Sequence, residues 1–256
     1  MRIIMEVRAK KSLGQHFLTD QKAADDIVAA LTYSGDVLEV GPGMGVLTRR
    51  LLAREDISLK MVELDGESVE YLRSHYTLAP DSLRQEDFLR SDLGRMFPGQ
   101  FAVIGNFPYN ISSQIFFKIL EHKDLVPQVV GMVQKEVAER IAEPPGSKTY
   151  GILSVLLQAW YDIEYLFTVG PGAFVPPPKV HSAVIRLRRN GRSDLGCDEA
   201  LFKTVVKTSF GQRRKTLRNS LKALIPEDLR GEEIFDLRPE RLGVEDFVRL
   251  TNMLRQ

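Results

Sequence analysis

Short apolar runs of strand length alternate with segments of helical periodicity through most of the chain. The apolar runs cover residues 36–40, 58–64, 101–105, 129–133, 163–169 and 182–188. Apolar positions three and four residues apart predict helices over residues 20–33, 46–54, 66–75, 112–122 and 135–143. Strands that alternate with helices in this way predict an α/β fold built on a parallel, doubly wound sheet.

The pattern changes after Arg189, where the loop-like sequence Asn-Gly-Arg-Ser-Asp begins. Beyond this loop only helical periods remain, at residues 199–210, 213–224 and 240–254. We therefore predict two domains: residues 1–189 with the sheet, and residues 190–256 as a small all-helical domain.

Composition narrows the class of protein. The 256 residues are 43% hydrophobic and 27% charged, which is typical of a globular protein and excludes a collagen-like or disordered chain. The single cysteine, Cys197, can form neither an intramolecular disulfide nor a cysteine cluster for zinc. We therefore expect no bound metal and a location in the reducing cytoplasm. The longest nearly apolar run, 151–161, falls short of the roughly 20 residues of a membrane span, so we expect a buried helix or strand there and no membrane partner.

Charge is balanced overall but unevenly distributed. The chain has 35 basic and 34 acidic residues, a net charge of +1. Residues 203–222 nevertheless contain seven Lys or Arg and no Asp or Glu, and residues 1–11 contain four basic residues against one acid. A solvated helix face and a nucleic-acid surface both explain such runs.

A glycine-rich segment follows the first predicted strand directly. Residues 39–45 read Glu-Val-Gly-Pro-Gly-Met-Gly, where glycines permit a tight turn and close approach of a ligand, although a structural turn would also explain them. Glu63 lies about 20 residues further on, at the end of the second strand, where an acidic residue accepts hydrogen bonds from ribose hydroxyls. Asp65 is an alternative for that role.

Two further motifs are expected at the same edge of the sheet. Asp87 lies where a third strand would end, and its carboxylate could accept a proton of an adenine amino group. Residues 106–110 read Asn-Phe-Pro-Tyr-Asn after the next strand. The side-chain oxygen of Asn106 and the free carbonyl of Pro108 can accept both protons of an exocyclic amine, while Tyr109 stacks on the base.

Together these motifs resemble the S-adenosylmethionine-dependent adenine-N6 methyltransferases of ribosomal RNA, and in particular the small-subunit rRNA dimethyladenosine transferase family. Supporting matches lie at residues 11–20 (Lys-Ser-Leu-Gly-Gln-His-Phe-Leu-Thr-Asp), 174–180 (Phe-Val-Pro-Pro-Pro-Lys-Val) and 209–221 (Ser-Phe-Gly-Gln-Arg-Arg-Lys-Thr-Leu-Arg-Asn-Ser-Leu). The last match favours this family over the methyltransferases of large-subunit rRNA. The chain departs from the family pattern at His16, Phe107 and His181.

The resemblance implies a Rossmann-like methyltransferase sheet and assigns residues to its site. Cofactor-binding positions are Gln15, His16, Leu18, Glu39, Gly41, Gly43, Glu63, Asp87, Phe88 and Asn106. Catalytic positions are Asn106, Pro108, Tyr109 and Phe174, with Phe174 stacking on the target base opposite Tyr109. Contacts with RNA are implied for the basic residues Lys10, Lys11, Lys207, Arg213, Arg214, Lys215, Arg218 and Lys222.

The implied reaction is dimethylation of N6 of two adjacent adenines in a loop near the 3′ end of small-subunit (16S) rRNA. The expected enzyme is a cytoplasmic monomer whose partner is an assembling small ribosomal subunit. The alternatives are a non-catalytic ribosome-assembly or RNA-binding factor and a methyltransferase of large-subunit rRNA. A dehydrogenase fits least well, because the glycine spacing differs from the dinucleotide-binding pattern.

Overall fold

The computed structural model describes residues 7–255, which contain a seven-stranded sheet, a two-stranded sheet and ten α-helices. The strands are β1 (Phe17–Leu18), β2 (Gly35–Val40), β3 (Ile57–Glu63), β4 (Leu83–Gln85), β5 (Phe101–Asn106), β6 (Gln128–Gln134), β7 (Tyr161–Val169), β8 (Phe174–Val175) and β9 (Ser182–Arg189). The helices are α1 (Gln21–Ala30), α2 (Thr48–Leu51), α3 (Gly66–His75), α4 (Leu93–Met96), α5 (Ser112–Glu121), α6 (Lys135–Ala142), α7 (Ile152–Gln158), α8 (Glu199–Gly211), α9 (Leu217–Ser220) and α10 (Val244–Met253).

The large sheet has the strand order β4-β3-β2-β5-β6-β9-β7. The pairs β4–β3, β3–β2, β2–β5 and β5–β6 are parallel. Strands β5 and β6 are buried along nearly their whole length, as expected for parallel strands covered on both faces. The order of connection reverses between β2 and β5, and ligands bind at such a switch point in open α/β sheets.

We predicted a wholly parallel sheet, but the sheet is mixed, because β9 runs antiparallel to β6. A parallel neighbour requires a crossover connection, usually a helix. The chain from β6 to β9 passes through α6 and α7 but also through the strands β7 and β8, so β6 and β9 do not form a simple βαβ unit.

The chain forms two compact units. The first runs to Ala138 and includes Glu164–Arg189; the second comprises Glu139–Ile163 and the chain from Asn190 onward. The break after Arg189 coincides with the predicted boundary, but residues 139–163 belong to the second unit instead of the first. Helix α7 carries the apolar run 151–161, and it packs against α8 within the second unit.

The second unit is helical around α8, which contacts α7, α9 and α10. The helix predicted over residues 213–224 is only one turn long, because residues 212–215 form a turn before α9 begins after Thr216. In the basic segment 1–11, residues 1–6, which include Arg2 and Glu6, lie outside the described residues. Within residues 7–255, no helix is long and apolar enough to cross a membrane, and no cluster of three or more His, Cys, Asp or Glu is placed to hold a metal ion.

Candidate active site

A cleft opens at the carboxyl ends of β2, β3, β4 and β5, beside the switch point of the sheet. It encloses about 1140 Å³ between protein atoms, including its opening to solvent. The predicted residues in its lining are Gln15, His16, Leu18, Glu39, Gly41, Gly43, Glu63, Asp87, Phe88, Asn106, Pro108 and Tyr109. The fold therefore gathers all the predicted cofactor residues and three of the four predicted catalytic residues into one site.

The glycine loop after β2 requires glycine at two positions in the cleft. Gly41 and Gly43 have φ angles of +68° and +57°, in the left-handed region that side chains disfavour. A Cβ atom at Gly43 would lie 2.9 Å from the ring of Phe17, whereas one at Gly41 would lie 3.8 Å from Pro108. The loop is thus shaped both by its backbone and, at Gly43, by close packing of the N-terminal segment.

Glu63 holds this loop from the end of β3. Its carboxylate accepts hydrogen bonds from the backbone N–H groups of Gly43 and Asp65, each at 2.9 Å. Glu63 is only 6% exposed, and burial raises the pKa of its carboxyl. Each carboxylate oxygen has a second lone pair, so these bonds leave acceptor capacity for a ribose hydroxyl.

Asp65, the alternative to Glu63 as the ribose-binding residue, instead contacts the N-terminal segment, residues 10–18. It accepts hydrogen bonds from the Lys10 ammonium group and from Gln15 Nε2, and it caps α3. Burial alone would raise the pKa of Asp65, but the bonds from Lys10 and Gln15 outweigh it and hold the pKa below its usual value. Lys10 also pairs with Glu67. The site thus gives Lys10 a structural role that sequence reasoning missed.

Glu39 lies at the floor of the cleft with 1% exposure. Its Oε2 accepts a hydrogen bond of 2.7 Å from Thr48 Oγ1. Burial raises the pKa of Glu39 to about 8. The raised pKa favours the protonated carboxyl, which can donate a hydrogen bond as well as accept one.

Asp87 and Phe88 follow β4, where we predicted them. Asp87 Oδ1 accepts a hydrogen bond of 2.9 Å from Leu89 N–H at the start of a short 3₁₀ turn. The buried Lys118 of α5 supports this turn by donating to the carbonyls of Leu89 and Ser91. Burial lowers the pKa of Lys118. Sequence reasoning missed Lys118. A lysine within the apolar sequence of α5 is the signal that could have identified it.

Asn106 is oriented by the N-terminal segment. Its Nδ2 donates to the His16 carbonyl at 2.9 Å. Because a carbonyl only accepts, this bond fixes the amide with its NH₂ group towards His16 and Oδ1 on the other side. We expected the Pro108 carbonyl to be free. It instead accepts a turn hydrogen bond of 3.2 Å from Ile111 N–H. Its second lone pair remains as acceptor capacity.

Tyr109 is half-buried, and two neighbours hold its ring. Its hydroxyl is hydrogen-bonded to the hydroxyl of the buried Ser182, and the ring of His16 stacks on it with centroids 5.2 Å apart and planes at 30°. Burial raises the pKa of Tyr109. Sequence reasoning did not predict either contact, because both join segments far apart in the chain.

Phe174 is the predicted catalytic residue that the fold does not bring into the cleft. It is 2% exposed, pairs with Leu18 between β1 and β8, and packs in the hydrophobic core. Its ring is therefore unavailable for stacking on a base in this arrangement. The aromatic side chain beside Tyr109 is His16 instead.

The predicted RNA-contacting residues differ in exposure. Arg218 is engaged by Asp236 at 2.7 Å, and Arg213 donates to the Ser147 carbonyl at 3.3 Å. Exposed side chains belong to Lys11, Lys207, Arg214, Lys215 and Lys222. Arg213 and Arg218 of the basic run are thus held by contacts within the second unit.

Comparisons with known proteins show which family the chain belongs to. A sequence profile described as ribosomal RNA adenine dimethylase matches residues 6–252. Proteins named ribosomal RNA small subunit methyltransferase A are 61% identical in Parabacteroides distasonis, over 96% of this chain and 93% of that protein, and 56% identical in Cytophaga hutchinsonii, over 97% and 98%.

Two solved structures share the fold. A dimethyladenosine transferase from Plasmodium falciparum superposes with a TM-score of 0.77 at 24% identity, over 92% of this chain and 96% of that one. The 23S rRNA methyltransferase ErmE gives a TM-score of 0.65 at 27% identity, over 94% and 100%. The chain belongs to the ribosomal RNA adenine dimethylase family.

Proposed function

We propose that this protein uses S-adenosylmethionine to dimethylate N6 of two adjacent adenines in a loop near the 3′ end of small-subunit rRNA. It acts as a monomer in the cytoplasm, on an assembling small subunit. The observation that carries the proposal is the fixed amide of Asn106, which lies in the same cleft as the glycine loop and Glu63. Family membership supports the same reaction.

The residues of the cleft fit the cofactor. The positive φ angles of Gly41 and Gly43 leave backbone without side chains at the carboxyl end of β2, where a ligand can approach closely. Glu63 has acceptor capacity for ribose hydroxyls, and Asp87 and Phe88 lie further along the same edge for the adenine. Bound there, S-adenosylmethionine supplies an electrophilic methyl group on a positively charged sulfur.

The chain's own residues position and polarise the target amine. An adenine amine is a poor nucleophile, because its lone pair is delocalised into the ring. Asn106 Oδ1 and the remaining lone pair of the Pro108 carbonyl accept its two protons, which favours a pyramidal nitrogen and stabilises the positive charge that develops on it. Tyr109 stacks on the base and holds its plane. This arrangement requires no strong general base.

The target base must leave its stack before it reaches the cleft. Unstacking costs a few kcal/mol in a duplex and less in a loop, and stacking on an aromatic ring returns about 1 to 3 kcal/mol per base. One aromatic contact thus offsets much of the cost for a loop adenine. A loop target therefore suits a site in which Tyr109 is the stacking ring.

Methyl transfer to isolated subunits tests the proposal. We expect purified protein and labelled S-adenosylmethionine to label small subunits that lack this modification, and not large subunits. Asn106→Ala should bind S-adenosylhomocysteine within several-fold of wild type but lose about 10²- to 10³-fold in turnover, as for removal of one preorganised hydrogen-bonding group. Label in large subunits alone would favour a methyltransferase of large-subunit rRNA. Binding to small subunits without methyl transfer would favour a non-catalytic assembly factor.

We further propose that the exposed part of the basic run binds RNA phosphates. Arg214, Lys215 and Lys222 are exposed, and counterion release makes phosphate contacts sensitive to salt. Replacing all three with Ala should weaken subunit binding and flatten its dependence on salt concentration. Arg218→Ala, which removes the pair with Asp236, is the matched comparison for loss of a structural cation. An unchanged salt slope in the triple variant would contradict this assignment.

A further inference from the structure

The main chain and the side chain of His16 face different parts of the cleft. Its carbonyl accepts the hydrogen bond that fixes the Asn106 amide. Its ring stacks on Tyr109, and its Nδ1 lies 2.8 Å from the Pro176 carbonyl. His16 therefore contacts Asn106 and Tyr109 in the cleft and also Pro176, which follows β8.

The hydrogen bond to Pro176 defines the state of the imidazole. A carbonyl oxygen only accepts, so His16 Nδ1 carries the hydrogen of this bond. Pro176 is exposed and immediately follows β8. The His16 ring is thus anchored on one side by a fixed hydrogen bond while its face lies against Tyr109.

Tyr109 needs such support, because its position sets the plane of the stacked base. Its hydroxyl bonds Ser182, which fixes one end of the side chain. The Cβ atom and this hydrogen bond both lie on the long axis of the ring, so together they still allow the ring to tilt about that axis. The His16 ring, 5.2 Å away and inclined by 30°, restricts that tilt from the ring face.

We propose that the imidazole of His16 is a positioning residue for the target base, acting through Tyr109 rather than on the cofactor. The inference rests on the proposed function. Two geometric facts favour it over a cofactor role for the ring. The His16 group that supports Asn106 is the main-chain carbonyl, which any residue supplies. The ring itself stacks on Tyr109, the residue that we propose to stack on the target base.

Three substitutions separate the contributions of the ring. His16→Ala removes the stacking and the Pro176 bond, His16→Asn keeps a donor able to reach Pro176, and His16→Phe keeps an aromatic ring. We expect His16→Ala and His16→Asn to lower the single-turnover rate of methyl transfer about 10-fold, the scale of a lost aromatic pair. His16→Phe should recover most of that loss.

Cofactor binding provides the readout that a cofactor role would change. We expect S-adenosylhomocysteine affinity, measured by calorimetry, to stay within about threefold of wild type in all three variants, since the main-chain carbonyl remains. A loss of affinity that parallels the loss of rate would overturn the inference. Equal rates in all variants would overturn it too.

A double-mutant cycle with Tyr109→Leu tests the route of the effect. If His16 acts through Tyr109, then His16→Ala has little further effect in the Tyr109→Leu background, because coupled residues are not additive. Additive losses of rate would contradict that route. Absence of methyl transfer by the wild-type protein would instead refute the proposed function, so the two failures are distinguishable.

Discussion

Glu39→Gln tests whether the carboxyl at the floor of the cleft is protonated in the folded protein. Glu39 is 1% exposed. Burial raises its pKa from 4.5 to about 8; the hydrogen bond from Thr48 opposes the shift, and the nearby carboxyl of Glu63 adds to it. Gln is nearly isosteric with the protonated acid and can accept the same hydrogen bond from Thr48, so the substitution removes the titration with little change in shape.

The shift of the pKa sets the size and sign of the effect. Between pH 4.5 and about 8 the folded protein keeps a proton on Glu39 that the unfolded chain has released. The folded state therefore binds more protons, and its stability falls as pH rises, by about 1.4 kcal/mol per pH unit and about 5 kcal/mol over the window. The contribution is fully present below pH 4.5 and is lost above about pH 8.

Urea unfolding between pH 5 and 8 measures this contribution. As pH rises, the free energy of unfolding of the wild-type protein should fall relative to that of Glu39→Gln. The two slopes should differ by about 1.4 kcal/mol per pH unit. Glu55→Gln removes an exposed carboxylate and controls for the change in net charge. Parallel pH profiles for wild type and Glu39→Gln would refute the protonated state of Glu39.

Four further substitutions test how the cleft is built. Gly41→Ala should cost about 1 to 2 kcal/mol of stability through backbone strain alone, and Gly43→Ala should cost more in urea unfolding because its Cβ would also meet Phe17; equal losses would contradict the packing argument. Asp65→Asn should weaken the hold on the N-terminal segment and speed tryptic cleavage there, whereas an unchanged cleavage rate would show that Asp65 does not hold it. Lys118→Met should weaken S-adenosylhomocysteine binding about 5- to 10-fold in calorimetry by loosening the turn after β4, and unaltered affinity would show that this turn needs no such support.

The sequence predicted the elements that local patterns encode. Buried apolar runs identified the strands β2, β3, β5 and β6. The polar candidate site residues lie at or after the carboxyl ends of strands in this sheet. Since parallel strands end at the same edge of a sheet, Glu63, Asp87 and Asn106 were expected to lie together, and the cleft brings them together. This part of the site needed only the period of the pattern and the rule for open sheets.

The remaining features depend on contacts between distant segments. Nothing in the local pattern of residues 15–18 predicts that Leu18 would pair with Phe174 and bury its ring, or that His16 would stack on Tyr109. Likewise, Lys10 belonged to a basic segment, but its partner Asp65 lies 55 residues away. The family resemblance assigned Lys10 to RNA and Phe174 to the target base, and the local sequence shows neither the contact of Lys10 with Asp65 nor the pairing of Phe174 with Leu18.

Mass spectrometry of methylated small-subunit rRNA, digested both to nucleosides and to oligonucleotide fragments, tests the central claim most directly. The wild-type protein, incubated with S-adenosylmethionine and subunits lacking the modification, should produce N6,N6-dimethyladenosine, in a fragment near the 3′ end that carries two adjacent modified adenines. Under the same conditions Asn106→Ala should yield little of this product. Absence of dimethyladenosine with the wild-type protein, or the same yield with Asn106→Ala, would contradict the account.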